Sequence, residues 1–254
     1  MWHVGVAGDP VAHSLSPTIQ QRALDHLGLE GDTTRLQTTS PDELSSFLSG
    51  SGQRALSITT PLKEAALSLC DEIDGPADIA GAVNSILHRG GKVVGRNVDG
   101  EGLIHALEAV TGRDAAGVQV LVLGGGGAAR SSAAALLAHG AEVTIATRRP
   151  LEASEWNRGA RLTTQMSVAG GIDWVINATS STLKGERVDL SSFDPEHALA
   201  VDLSYGRASL FLEECAQRGW ATLDGLPMLH FQAKLQLEWW FDREIDVKVL
   251  GWPS

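Results

Sequence analysis

Apolar positions along the chain recur with two different spacings, and each change of spacing marks out an element. "HVGVAG" (3–8) is a short apolar strand ending in glycine. "SPTIQQRALDHLGL" (16–29) predicts a helix with Ser16 as N-cap, Pro17 at the first helical position and Gly28 as the stop. "TTRLQTT" (33–39) alternates like a strand, "PDELSSFLSG" (41–50) reads as a short capped helix, and "RALSIT" (54–59) is a further strand. "PLKEAALSLC" (61–70) predicts a helix with Leu62, Ala65, Ala66 and Leu69 on one face. "GAVNSILHRGGKVVGRN" (81–97) predicts a hairpin turning at Arg89-Gly90-Gly91-Lys92.

From Asp99 onward the pattern is more regular. "VQVLVLGGGGAARSSAAALLAHGAEVTIATRR" (118–149) is a buried strand, a glycine turn, an alanine-rich helix and a second buried strand. That is a βαβ unit and implies a parallel sheet. "DWVINATS" (173–180) and "HALAVDLSY" (197–205) supply two more strands, and "ATLDGLPMLHFQAKLQLEWW" (221–240) closes the chain with a helix. The prediction is an α/β protein of two domains. A length of 254 residues, 43% of them hydrophobic, is enough for two cores. The net charge of -11 argues against a nucleic-acid partner, and an anionic ligand has to be met by local donors. Cys70 and Cys215 have no metal-ligand spacing and are expected to be reduced packing residues. The opening "MWHVGVAGDP" has no signal-peptide pattern, and no apolar run reaches the ~18 residues of a membrane span. A cytoplasmic protein is expected.

The glycine turn carries Gly124, Gly126 and Ala129 in G-x-G-x-x-A spacing, between an apolar strand and a small-residue helix. In that setting glycines let a pyrophosphate approach the N–H groups of a helix N-terminus, so a dinucleotide is expected. A turn serving only helix–sheet packing is the competing account. The second strand ends in Thr147, Arg148 and Arg149, with no acid before Glu152. An acid there would suit the ribose hydroxyl of NAD, whereas two guanidiniums suit the 2′-phosphate of NADP. NADP is the expected cofactor.

The first half sets polar groups near its strand ends. Ser14 and Ser16 flank an irregular turn and could together hold a carboxylate, or Ser16 could serve only as a cap. Asn84 interrupts an apolar stretch and needs partners there. Asn97 and Asp99 stand where the two halves join. Lys63, one of only five lysines, follows Thr59, Thr60 and Pro61. By itself it reads as a solvated helix-start charge; among these groups it reads as an acid/base residue.

Taken together, the sequence resembles the shikimate dehydrogenases nearly end to end. "GDPVAHSLSP" is similar to that family's serine motif, "SITTPLKE" to N-V-T-x-P-x-K, "GAVNSI" to G-A-x-N-T, and "GRNVDGEG" to x-N-T-D-G. "GGGGAAR", "INATS", "DLSY" and "GLPMLHFQA" are similar to its G-x-G-G-A-A-R, N-A-T-S, D-x-x-Y and G-x-x-M-L-x-x-Q segments. The resemblance implies reversible hydride transfer between NADPH and 3-dehydroshikimate, with Lys63 and Asp99 as the catalytic pair. It implies that Ser14 and Ser16 bind the substrate carboxylate, that Thr59, Asn84, Asp99 and Gln232 meet ring hydroxyls, and that Tyr205 lies near carboxylate and nicotinamide. Cofactor contacts are implied at Gly124, Gly126, Gly127, Ala128, Ala129, Thr147, Arg148, Arg149, Thr179 and Gly225. The implied architecture is a discontinuous α/β substrate domain (1–98 and 226–254) around a Rossmann-type, doubly wound NADP domain (99–225). Small molecules are the expected partners, with the chain a monomer or homodimer and no metal, nucleic acid or membrane involved.

Some positions depart from the family pattern. Ser57 stands for Asn, Gln20-Gln21 for His-Asn, Val98 for Thr, Ser181-Thr182 for Ala-Gly, and "YGRAS" for a Tyr-x-Pro-x-x-Thr run. These leave open shikimate, quinate or an amino analogue as substrate. The alternatives are an NAD-dependent quinate/shikimate dehydrogenase, a related folate dehydrogenase, or a non-catalytic NADP-binding regulator.

Overall fold

Short strands and helices alternate from the first residues, and each strand's loop is placed by its neighbours in the sheet. The structure is a computed structural model and describes residues 1–164, 171–190 and 197–253. The chain divides into two units, Met1–Gly102 with Leu229–Ser254, and Leu103–Met228.

The first unit contains β1 (Trp2–Gly8), α1 (Ser16–Leu27), β2 (Gly31–Gln37), α2 (Pro41–Leu48), β3 (Gln53–Ile58), β4 (Glu72–Ile73), α3 (Gly75–Ala80), β5 (Ser85–Arg89) and β6 (Lys92–Arg96). Its sheet has the order β2-β1-β3-β5-β6-β4. β1 is parallel to β2 and β3, while β5 is antiparallel to β3 and β6. The C-terminal ends of β1, β3 and β6 therefore share one sheet edge with the start of β5. Leu44 and Leu48 of α2 pack on Leu56 and Ile58 of β3 in the core beneath that edge. The expected hairpin is present: Arg89 faces Lys92, and Gly90 and Gly91 turn with φ of 61° and 78°. Two successive positive φ angles are what a twisted two-residue turn requires.

Two local expectations are corrected. The cap of α1 is Leu15, and Ser16 is already helical. Residues 61–70 do not form an α-helix; Lys63 sits on a turn before a 3₁₀ helix, Ala65–Leu69. The reason is a competing donor. The Lys63 carbonyl accepts from the Val83 N–H at 2.8 Å, so the Leu67 N–H bonds to Glu64 instead, at 3.3 Å. Apolar periodicity does not register that commitment.

α4 (Asp99–Thr111) leads into the second unit, with β7 (Gln119–Leu123), α5 (Gly127–Ala138), β8 (Glu142–Ala146), β9 (Arg161–Thr163), β10 (Trp174–Asn177), α6 (Ser181–Lys184), β11 (Leu199–Asp202), α7 (Leu210–Gln217) and β12 (Ala221–Leu223). Its sheet runs β9-β8-β7-β10-β11-β12, all parallel. That is the doubly wound order whose direction reverses between β7 and β10, where such sheets open a ligand crevice. Strands covered on both faces read as unbroken apolar runs, as "VLVL" does here. Among the described residues no helix is long and apolar enough to cross a membrane.

α8 (Leu226–Phe241) ends the fold, and from Leu229 onward it belongs to the first unit. There it meets the first turn of α4 almost backbone to backbone. A Cβ on Gly102 would stand 2.5 Å from Gln232 Cβ and 2.8 Å from its backbone N. Gly102→Ala is therefore expected to destabilise the unit by about 1–3 kcal/mol, read as a lower urea midpoint at unchanged m-value.

Candidate active site

Lys63 enters the first unit's sheet edge on the turn after β3, and its partners come from two other elements. Its Nζ donates to Asp99 Oδ2. Asp99 opens α4, where a carboxylate complements the helix N-terminus. Its other oxygen, Oδ1, accepts from Asn84 Nδ2 at 2.7 Å. Asn84 uses its carbonyl as well, accepting from the Val98 N–H at 2.9 Å. One amide thus holds both the carboxylate and the backbone just before it. The Lys63 side chain keeps 18% exposure, against 6% for Asp99. Of its three N–H donors, one serves Asp99, and among the described residues two remain for a ligand.

A further layer fixes this arrangement. Asn97 Oδ1 accepts from the Asp99 N–H at 3.1 Å, and Asn97 Nδ2 donates to the Ala82 carbonyl at 2.9 Å. Asp74 Oδ1 caps α3 by accepting from Ala77 N–H and also receives the Asn97 N–H. Burial pushes the Asp74 carboxyl above its ordinary range, against the lowering effect of those donors and of Arg96.

The loop after β1 leaves the same edge. Gly8 has no room for a side chain, because a Cβ would stand 2.6 Å from the Thr60 carbonyl. The Thr59 N–H donates to Ala7 and the Asp9 N–H to Thr60, which ties the loop of Ser14 and Ser16 to that of Thr59 and Lys63. Ser14 Oγ accepts from the Ser16 N–H at 3.2 Å, and the Arg35 guanidinium holds the Ser14 carbonyl at 2.8 Å. Gln232 lies beside the first turn of α4, with its Nε2 donating to its own helix at Leu229. Side-chain hydrogen bonds join Lys63, Asn84 and Asp99; Ser14, Ser16, Thr59 and Gln232 lie in the same unit, whereas Tyr205 belongs to the second.

In the second unit the glycine turn lies at the strand-order reversal. Gly124 has φ of +118°, and a Cβ there would stand 3.1 Å from the Ala178 carbonyl at the end of β10. Gly126 caps α5 without a side chain, and Ala129 is fully buried against the sheet. Gly127 and Ala128 form the helix's first turn, whose N–H groups have no intrahelical acceptor. Thr147 follows β8, its hydroxyl donating to the Arg149 carbonyl at 2.5 Å, and Arg148 and Arg149 are exposed. In sequence no acid follows β8 before Glu152. A side-chain-free turn, an open helix N-terminus and two guanidiniums fit a dinucleotide bearing an extra phosphate. Thr179 Oγ1 donates to Asn177 Oδ1 at 2.7 Å. Gly225 abuts the loop after β11, where a Cβ would stand 2.2 Å from the Leu203 carbonyl, and Tyr205 is half-buried in that loop.

Sequence reasoning did not single out Gln236, Asp202 or the contacts of the departing positions. Asp202 is fully buried, and its Oδ2 accepts from Asn177, Thr182 and Ser209, with Oδ1 accepting from the Ser204 N–H. Thr182 and Ser209, two of the departures, therefore solvate an internal carboxylate. Gln20 and Ser57, two more, bond to each other at 3.1 Å. At Val98 the backbone N–H is what the site uses. The cysteines are free, and burial raises the thiol of Cys70 to about 11 and that of Cys215 to about 12, as suits packing residues.

Residues 6–86 match the family model described as shikimate dehydrogenase substrate binding domain. A shikimate dehydrogenase (NADP(+)) of Thermus thermophilus is 36% identical over 94% of this chain and 92% of its own length. The one of Methanopyrus kandleri is 31% identical over 97% and 92%. The crystal structure of shikimate 5-dehydrogenase from Thermus thermophilus in complex with NADP(H) and shikimate superposes with a TM-score of 0.86 at 36% identity, covering 98% of this chain and 97% of that one. A doubly wound nucleotide fold in one unit, a lysine–carboxylate pair in the other and relatives that are NADP-dependent dehydrogenases define a dinucleotide-dependent oxidoreductase. More narrowly, the chain belongs to the shikimate dehydrogenase family.

If Asn84 holds Asp99 as described, Asn84→Leu leaves Asp99 Oδ1 and the Val98 N–H without partners. The expected loss is about 1–3 kcal/mol for each orphaned group, measured by urea unfolding at neutral pH. A stability equal to that of the parent would contradict the bonding scheme.

Proposed function

We propose that this chain catalyses the reversible NADPH-dependent reduction of 3-dehydroshikimate to shikimate, on the route to the aromatic amino acids. The observation that carries the reading is the Lys63–Asp99–Asn84 trio at one sheet edge, with Asp99 and Asn84 buried and Lys63 part-exposed, in a chain of this family. Substrate binding is assigned to the unit of Met1–Gly102 and Leu229–Ser254, and dinucleotide binding to Leu103–Met228. The family model's match to residues 6–86 supports the first assignment. The two free cysteines agree with a reducing, cytoplasmic setting.

Bound NADP supplies or accepts the hydride. Lys63 Nζ gives a proton to the carbonyl oxygen as negative charge develops on it, and takes that proton back in the oxidation. Asp99 orients the ammonium, and Asn84 keeps the carboxylate in place whether or not substrate is bound. Ser14 and Ser16 hold the substrate carboxylate with neutral hydroxyls, a local solution in a protein whose net charge of -11 repels anions. Thr59, Asn84, Asp99 and Gln232 meet the ring hydroxyls, and Tyr205 completes the carboxylate side. Gly124, Gly126, Gly127 and Ala128 would hold the pyrophosphate, with buried Ala129 setting the helix close to the sheet behind them and Thr179 and Gly225 beside the cofactor. Thr147, Arg148 and Arg149 take the 2′-phosphate.

Lys63→Ala is expected to lower kcat for shikimate oxidation by about 10²–10⁴ while binding changes far less. Turnover within a few-fold of the parent would remove Lys63 from the chemistry. Replacing Arg148 and Arg149 together by alanine should raise KM for NADP⁺ by roughly 10–100-fold, and leave KM for NAD⁺ nearly unchanged. Equal effects on both coenzymes would overturn the phosphate assignment.

A further inference from the structure

We infer that Gln236 is a positioning residue for substrate binding, acting through Gln232. The inference rests on the reading of Gln232 as a substrate contact.

Gln232, Gln236 and Trp240 recur every four residues on α8, so they lie along one face of the helix. That face does not meet the sheet through apolar contact alone. Gln236 is 1% exposed, its Nε2 donates to the Asn84 carbonyl at 3.1 Å, and its Oε1 accepts from Ser57 Oγ at 2.5 Å. One turn further on, Trp240 Nε1 donates to Ser85 Oγ at 2.9 Å, both residues being fully buried. Ser57 and Ser85 are directly opposed across β3 and β5. Two neighbouring hydroxyls on the sheet thus receive two successive turns of the helix.

Apolar burial is non-directional and lets a helix rotate or slide at little cost, whereas buried hydrogen bonds fix both motions. One turn before this seam, at Gln232, the helix backbone packs against Gly102 of α4, three residues after Asp99. The seam therefore sets the rotation and height of α8 at which Gln232 faces the turn bearing Asp99. Gln236 also bonds the carbonyl of Asn84, whose side chain holds Asp99, so the same residue ties the helix to the catalytic trio.

The test compares Gln236→Met, Gln232→Ala and the double variant. Methionine keeps length and volume, and Asn84 O and Ser57 Oγ retain Ile58 N–H and Gln20 Nε2 as partners, so the fold keeps support. Gln236→Met is expected to raise KM for shikimate by about three- to tenfold, the worth of one or two hydrogen bonds, with kcat and KM for NADP⁺ within about twofold of the parent. In the Gln232→Ala background the same substitution should add nothing, because its effect passes through Gln232. Additive effects, an unchanged shikimate KM in Gln236→Met, or parallel rises for shikimate and NADP⁺ with a lowered Tm would overturn the positioning role. An unchanged shikimate KM in Gln232→Ala would instead overturn the reading beneath it, and the inference with it.

Discussion

The first unit's site depends on the side chain of Asn84. A carboxylate that is to hold a lysine in a mostly buried place needs a second donor, or its other oxygen is left without a partner at considerable cost. Asn84 supplies that donor to Asp99 and accepts the N–H of Val98, while its own backbone is paired to Ile58 and Arg96. The start of α4, the turn after β3 and the seam of α8 all converge on this residue. Lys63 is aimed because Asp99 is fixed, and Asp99 is fixed by an amide buried just before β5 that spends its bonds on it and on Val98.

The positions that depart from the family's pattern look different once their contacts are known. Gln20 and Ser57 bond to each other, Thr182 and Ser209 solvate Asp202, and Val98 contributes a backbone group. In each case a polar side chain or N–H forms hydrogen bonds inside its own unit, although Gln20 Oε1 has no partner among the described residues. These substitutions maintain internal hydrogen bonding, where an unpaired group costs stability, and so say less about substrate than their proximity to the motifs suggests.

Much of the fold was legible from residue order. The hairpin at Gly90-Gly91 and the βαβ unit around Gly124 rest on local rules: positive φ in a two-residue turn, and apolar runs for strands covered on both faces. The segments forming α3, β9, α6 and α7 gave no clear pattern, because they are short and their stability comes from packing and capping. The helix read at 61–70 became a 3₁₀ turn since a distant N–H, that of Val83, took the carbonyl it needed. Of the site, Lys63, Asn84 and Asp99 could be named from their types and motifs, but Gln236 could not. On an apolar helix it shows only as a glutamine four residues after another.

The sequence by itself determined the class of fold, the glycine turn with its paired arginines, and the inventory of hydroxyls, amides, lysine and carboxylate available for chemistry. These depend on backbone conformation and side-chain type, which are local. Only the tertiary structure decided which of those groups touch: that Asn84 grips Asp99, that Ser57 and Ser85 stand side by side, and that Gly102 admits α8. Such pairings join residues from 15 to more than a hundred positions apart. They are set by sheet order and helix rotation, where directional hydrogen bonds select one arrangement among many that apolar burial alone would permit.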